Sequence, residues 1–278
     1  MLKGILTFVL SPKESNQIFH IGGIEAVLNE RGVFSLRDNQ YVQFVSETGE
    51  SLMIKRHSNT VFHNLSYPST DNSKKKIKPM NDEQKCYFDL LHNSEIPIKV
   101  SVGMAGTGKT NLALKFGFMK MADKNSPIEK MILVRNPVEC GEAVGFLKGD
   151  KNEKLGHWNN PAKDNYEDKN VPFEALVERG KIELDIPSLM LGRNLKNSWI
   201  IVDEAQHLNP QMFKMLGERV ATGSEIIFIG DPSQDYGYTR GESGLEKAKK
   251  LIGNHLFGMV ELKEDVRSEV SKLFATRY

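Results

Sequence analysis

Residues Gly103-Met104-Ala105-Gly106-Thr107-Gly108-Lys109-Thr110 read G-x-x-x-x-G-K-T, the phosphate-binding loop pattern. Before the loop stands Ile98-Lys99-Val100-Ser101-Val102, a β-rich run suited to a buried strand. After it comes Asn111-Leu112-Ala113-Leu114-Lys115-Phe116, a good helix start. Strand, glycine loop and helix are the context this motif needs. The glycines let successive backbone N–H groups curl around a phosphate without a Cβ in the way. The helix N-terminus adds partial positive charge at the same point. In this arrangement Gly103 to Asn111 form the nucleotide-binding stretch. Lys109 reaches the β- and γ-phosphates, and the Thr110 hydroxyl sits on Mg2+. A glycine-rich turn that binds nothing is the bland alternative, and the flanking strand and helix argue against it.

The 278 residues leave room for one α/β domain and a small extra unit. Formal net charge is +1, which excludes a globally basic nucleic-acid binder, so any such site must be a local patch. The two cysteines, Cys86 and Cys140, stand in unrelated contexts and argue against a disulfide framework or a zinc site. A reducing, cytoplasmic setting fits. No stretch approaches a membrane-spanning apolar run, and Met1 to Leu10 reads as a first strand rather than a signal peptide.

Residues 1–70 read as a small β-rich unit. Strands are expected over Phe34–Arg37, Gln40–Val45 and Ser51–Lys55, with a short helix over Ile24–Leu28. His20, His57 and His63 lack metal-ligand partners at a usable spacing. Residues 71–79 form a breaker-rich linker carrying Lys74-Lys75-Lys76, a solvated run or a phosphate contact. Residues 80–278 form the main domain. Its first helix opens with Asn81 as N-cap, and Gln84, upstream of the loop, has an amide able to pair with both a donor and an acceptor on adenine.

Met131-Ile132-Leu133-Val134 is a second buried-type strand ending at Arg135, where open α/β sheets place their ligands. Beyond it Lys148, Lys151, Lys154, His157 and Trp158 bring basic and aromatic groups together, a mixture suited to single-stranded nucleic acid or to an ordinary surface excursion. Asn159 to Asn170 reads as polar, mobile chain. Trp199-Ile200-Ile201-Val202-Asp203-Glu204 is a continuous apolar strand ending in two carboxylates. Asp203 is placed to hold Mg2+ and Glu204 to take a proton from the attacking water. A further buried strand, Glu225 to Ile229, ends in Gly230-Asp231-Pro232-Ser233-Gln234. A polar amide after a parallel strand beside the nucleotide makes Gln234 a γ-phosphate sensor.

Taken together, Gln84, GMAGTGKT, VRNPVECGEAVGFLKGD, LGRN, IIVDEAQHLNP and IGDPSQ resemble the PhoH-like ATPases from about Lys78 onward. These are similar to the first motor domain of superfamily 1 helicases. The resemblance implies a P-loop NTPase (RecA-like) α/β fold, a parallel sheet with flanking helices, behind the small β-rich N-terminal unit. It implies ATP and Mg2+ as cofactors and ATP hydrolysis coupled to RNA or single-stranded DNA. It assigns Gln84 to adenine, Gln234 to the γ-phosphate and Arg267 to a phosphate contact. A nucleotide-switched binding module is the alternative. A small-molecule phosphotransferase is disfavoured, because Glu204 is a base suited to water.

The chain after Gln234 is too short for a second motor domain, so no arginine finger is supplied from one. Such a finger contributes about 10³–10⁵ in rate. A ring-like homo-oligomer could supply it from a neighbour. The candidates are Arg193, Arg219 and Arg240. Arg219 ranks first, because it follows the helix after the DEAQ stretch and is expected near the nucleotide edge of the domain.

Overall fold

A computed structural model of the chain describes residues 5–21, 23–33, 36–58, 61–67, 77–135, 160–166, 171–234, 242–271 and 273. The chain divides into two compact units, Met1–Ile96 with Lys249–Glu261, and Pro97–Ala248 with Leu262–Tyr278.

In the first unit, β1 (Leu6–Leu10), β2 (Tyr41–Ser46), β3 (Ser51–Ser58) and β4 (Val61–Asn64) form one sheet in chain order. β1 runs parallel to β2, and the other pairs are antiparallel. Helices α1 (Pro12–Ile21) and α2 (Ile24–Glu30) share with it a core that includes Leu10, Ile18, Val27, Val42 and Phe44. The expected strand at Phe34–Arg37 is absent at Leu36 and Arg37. Helix α1 is an addition to the sequence reading. It starts from a capping box in which Ser11 N–H donates to Glu14 Oε2 at 2.8 Å and Glu14 N–H to Ser11 Oγ at 3.4 Å. Arg31 then donates to both Glu14 oxygens, at 2.6 and 2.7 Å.

Helix α3 (Asp82–His92) opens as expected, with Asn81 Oδ1 accepting from Gln84 N–H. Its buried Asp89 accepts from the Tyr41 hydroxyl, the Lys55 ammonium and Ser66 N–H, each at 2.8 Å. A buried carboxylate needs such company to stay charged. His57 and His63 stack face to face across β3 and β4, with centroids 4.6 Å apart.

The second unit is built on parallel strands: β5 (Ile98–Gly103), β6 (Lys130–Arg135), β7 (Ile182–Asp185), β8 (Ser198–Asp203) and β9 (Glu225–Gly230). Strand β10 (Phe257–Leu262) completes a six-stranded parallel sheet, in the order β10-β5-β9-β8-β6-β7. The inner strands read as continuous apolar runs because helices cover both faces of such a sheet. Helix α4 (Lys109–Ala122) lies against β8, where Trp199 Nε1–H donates to Ala113 O at 2.9 Å. At Gly117 an added Cβ would meet Trp199 Cδ1 at 2.6 Å, so glycine sets how closely the helix seats.

Helices α5 (Asn160–Asn165), α6 (Phe173–Glu178), α7 (Pro210–Gly217) and α8 (Gly244–Lys247) complete the unit. Helix α5 is an element that the sequence reading of this polar stretch did not include. Ala162 is fully buried, and the following Tyr166 packs against Phe118 and Phe173. Among the described residues no helix is long and apolar enough to cross a membrane.

Far from the loop end of the sheet, Glu225 at the start of β9 joins two buried lysines. Lys99 Nζ is 2.8 Å from Glu225 Oε2, and Lys120 engages Glu225 Oε1 while sitting 4.9 Å over the Trp199 ring. Removing the shared acid takes a negative charge from beside two buried cations. Glu225→Gln is therefore expected to cost about 3–5 kcal/mol, read as a lower urea midpoint. Glu14 supplies a pH test. Hydrogen bonds from Arg31, then Ser11, lower its pKa from 4.5 to about 2. A depressed acid contributes stability above its unfolded value that disappears as pH falls through the folded one. The stability gap between wild type and Glu14→Gln should be full at pH 7, narrow below pH 4.5 and close near pH 2. A gap that does not vary with pH would show that the ion pair contributes nothing.

Candidate functional site

Parallel strands deliver their C-terminal ends to one edge, and the motif residues collect there. The loop leaves β5 at Gly103 and enters α4 at Lys109, with Gly108 as a left-handed N-cap. Gly103 has φ 146°, and a Cβ there would lie 1.8 Å from Leu262 O. Gly106 has φ 87°, and a Cβ there would lie 2.1 Å from Arg267 Nε. Both positions require glycine for their backbone conformation, and at Gly103 the Leu262 backbone leaves no room for a Cβ either.

A cleft of about 310 Å³ opens over this loop. Ala105, Gly106, Gly108, Lys109, Thr110 and Asn111 form its floor. Asp203 and Glu204 line it from β8, and Ile229, Gly230, Asp231 and Gln234 from β9. Its volume lies at the small end of the range for small-molecule sites. Lys109 Nζ donates to Gly103 O and Met104 O, both at 2.6 Å, and to Thr107 Oγ1 at 3.1 Å. Burial pushes the Lys109 ammonium below its ordinary pKa, while Asp231, Asp203 and Glu204 act to raise it. Thr110 Oγ1–H donates to Asp203 Oδ1 at 3.1 Å. The Asp203 carboxyl is raised above its usual range, first by burial and then by the adjacent Glu204 charge, against lowering by Arg135 and Thr110. A hard cation beside Thr110 and Asp203 would relieve both costs, so the donor set fits Mg2+.

Glu204 adopts a left-handed backbone, φ 52° and ψ 40°, uncommon for a residue with a side chain. One carboxylate oxygen accepts from Arg135 Nη2–H at 3.3 Å and the other from Gln206 Nε2–H at 2.7 Å. Arg135 reaches it because β6 and β8 are neighbours in which Arg135 pairs with Asp203. Gln206 is fully buried, and its Oε1 accepts from Asp231 N–H at 3.1 Å. Asp231 Oδ1 in turn accepts from Ser233 N–H and Oγ–H, closing the turn that carries Gln234. Arg135, Gln206 and Asp231 carry no role in the sequence reading. Their part comes from strand adjacency, which a linear motif does not display.

Arg267 lies against the loop. Its guanidinium pairs with Asp265 at 2.6 Å, and the intervening Val266 N–H donates to Gly106 O at 3.0 Å. Asn111 spends its amide on Asn165. Gln84 belongs to the first unit, where it is 2% exposed and its Oε1 accepts from Met80 N–H.

Arg219 requires a correction. Helix α7 starts beyond the C-terminal end of β8 and runs back, so its last turn reaches the N-terminal end of the sheet. There Leu195 N–H donates to Arg219 O at 3.0 Å, three residues before β8 begins. That is about 20 Å from the loop along the strand, and not the nucleotide edge. Arg193 is engaged within the chain by Glu183 and Asp185, at 2.6 and 2.5 Å. Arg240, Cys140, the lysines at 74–76 and the basic-aromatic stretch from Lys148 to Trp158 lie outside the described residues.

The family model described as PhoH-like protein matches residues 76–278. The chain is 35% identical to Protein PhoH2 of Bacillus subtilis (strain 168) over 208 residues, covering 72% of this chain and 47% of that one. It is 37% identical to a PhoH-like protein of the same organism over 199 residues, 70% of this chain and 61% of the relative. A PhoH-like protein of Synechocystis sp. is 38% identical over 180 residues, 63% of this chain and 53% of the relative. The chain thus spans about half the length of the curated relatives it matches. With the glycine loop, the parallel sheet and these matches in hand, the chain belongs to the PhoH-like family of P-loop NTPases.

Proposed function

We propose that the second unit binds ATP with Mg2+ and hydrolyses it, and that turnover is coupled to RNA or single-stranded DNA. The observation that carries the reading is the Thr110–Asp203 hydrogen bond, made inside one cleft with Lys109, Glu204 and Gln234. Phosphate positioning and charge stabilisation are most of what phosphoryl transfer to water asks of a protein, and these residue types suit it. Lys109 would exchange its loop carbonyls for phosphate oxygens. Thr110 and Asp203 would hold Mg2+, which neutralises phosphate charge when bound. Glu204 would take the proton of the attacking water, and Gln234 would contact the γ-phosphate. Arg267, stationed over Gly106, would meet the phosphates in cis. Gln84 is assigned to adenine by family resemblance. Coupling to nucleic acid rests on the basic and aromatic composition of Lys148 to Trp158 and on that same resemblance.

Lys109→Ala is expected to abolish tight ATP binding and turnover with an unchanged melting temperature, since the ammonium serves the loop and not the core. Glu204→Gln keeps the Mg2+ ligand Asp203. It should bind ATP normally while kcat falls by about 10²–10⁴. Loss of ATP binding in that variant would make Glu204 a primary ligand instead of a base. Hydrolysis measured with and without single-stranded RNA or DNA separates a nucleic-acid-coupled ATPase from a nucleotide-switched binding module.

A ring-like homo-oligomer would complete the site with an arginine from a neighbour. Turnover per subunit should then rise with protein concentration. A flat dependence, together with no recovery on mixing Glu204→Gln with Arg219→Ala, would remove Arg219 as a shared residue.

A further inference from the structure

Gln206 touches both carboxylate-bearing strand ends. It is 0% exposed, and both ends of its amide are committed. Nε2–H donates to Glu204 Oε2 at 2.7 Å, and Oε1 accepts from Asp231 N–H at 3.1 Å. The space around it is tight: a Cβ on Gly230 would meet Gln206 Oε1 at 2.6 Å. The second hold on Glu204 differs in kind. Arg135 reaches Oε1 at 3.3 Å from a side chain 38% exposed, a contact that water competes with. The fixed hold on the carboxylate is therefore Gln206. A glutamate with a left-handed backbone also needs neighbours that determine its side-chain direction, and Gln206 supplies that as well.

We propose that Gln206 is a positioning residue for Glu204 and makes the direction of that carboxylate depend on the turn from Asp231 to Gln234. The proposal rests on reading Glu204 as the base for water. Asp231 N–H opens the turn, and Gln234 N–H closes it on Asp231 O at 3.0 Å. Movement of Gln234 toward a γ-phosphate shifts Asp231, and Gln206 carries that shift to Glu204 Oε2. Glu204 then points at the attacking water only when the turn is in its phosphate-engaged position. Gln206 itself touches no reacting atom.

The test uses Gln206→Leu, which removes both bonds, and Gln206→Asn, one methylene too short to span Glu204 and Asp231 together. The Asn variant stands in if the Leu variant does not fold. Both are expected to lower kcat between about tenfold and a hundredfold, with the Kd of a fluorescent ATP analogue changed by less than about threefold. The decisive measurement is single-turnover hydrolysis by the Glu204→Gln/Gln206→Asn double variant. Acting through Glu204, Gln206 has nothing left to position there, so the double variant should be as slow as Glu204→Gln alone. If the two losses multiply, or if the analogue's Kd rises in step with the fall in kcat, Gln206 acts elsewhere and the proposal is overturned. Wild-type turnover by Glu204→Gln alone would remove the base reading, and this proposal with it.

Discussion

Parallel pairing makes neighbouring strands finish at the same edge. Val102 pairs with Gly230, Val202 with Phe228, and Arg135 with Asp203. Four strand ends therefore lie side by side, bringing together the glycine cradle, the Asp231–Gln234 turn, the acid pair and Arg135. None of these groups is near another in sequence. Their proximity is a consequence of register, and register is held because each inner strand is buried on both faces. At the opposite edge the same register brings Lys99 and Glu225 into a buried ion pair.

The parts legible beforehand were those whose chemistry is local. The glycine loop, the apolar run into Asp203 and Glu204, and the Asn81 cap all announce themselves within a few residues, and elements lie where those signals put them. Arg135 was legible only as a strand end on the ligand side, and its contact with Glu204, like the role of Gln206, was not, because what they touch is decided by which strands are neighbours. Arg219 was misplaced for a related reason. Position after a motif says nothing of direction, and a helix following a parallel strand runs back along it. Helix α1 was overlooked although Ser11-Pro12-Lys13-Glu14 is a capping box with proline at the first helical position. Helix α5 has few apolar residues to announce it and is held by tertiary contacts of Ala162 and Tyr166.

The first unit shows how a small sheet is tied to a helix from outside its own sequence segment. Asp89 on α3 collects donors from β2, from β3 and from the chain at Ser66. Satisfying one buried carboxylate in this way fixes the helix in rotation and in height against the sheet, since a slip of one residue would strand a charge. The helix that begins at the Asn81 cap and carries Gln84 is thus seated by residues as far back in the chain as Tyr41.

Lys109 donates to Gly103 O, Met104 O and Thr107 Oγ1, all of them atoms of its own loop. These neutral acceptors compete with any ligand for the ammonium. A ligand that draws the ammonium away must offer acceptors better than the ones it replaces, and oxygens that carry charge accept more strongly than neutral carbonyls. The loop's own hydrogen bonds thereby set a threshold that an incoming group has to exceed.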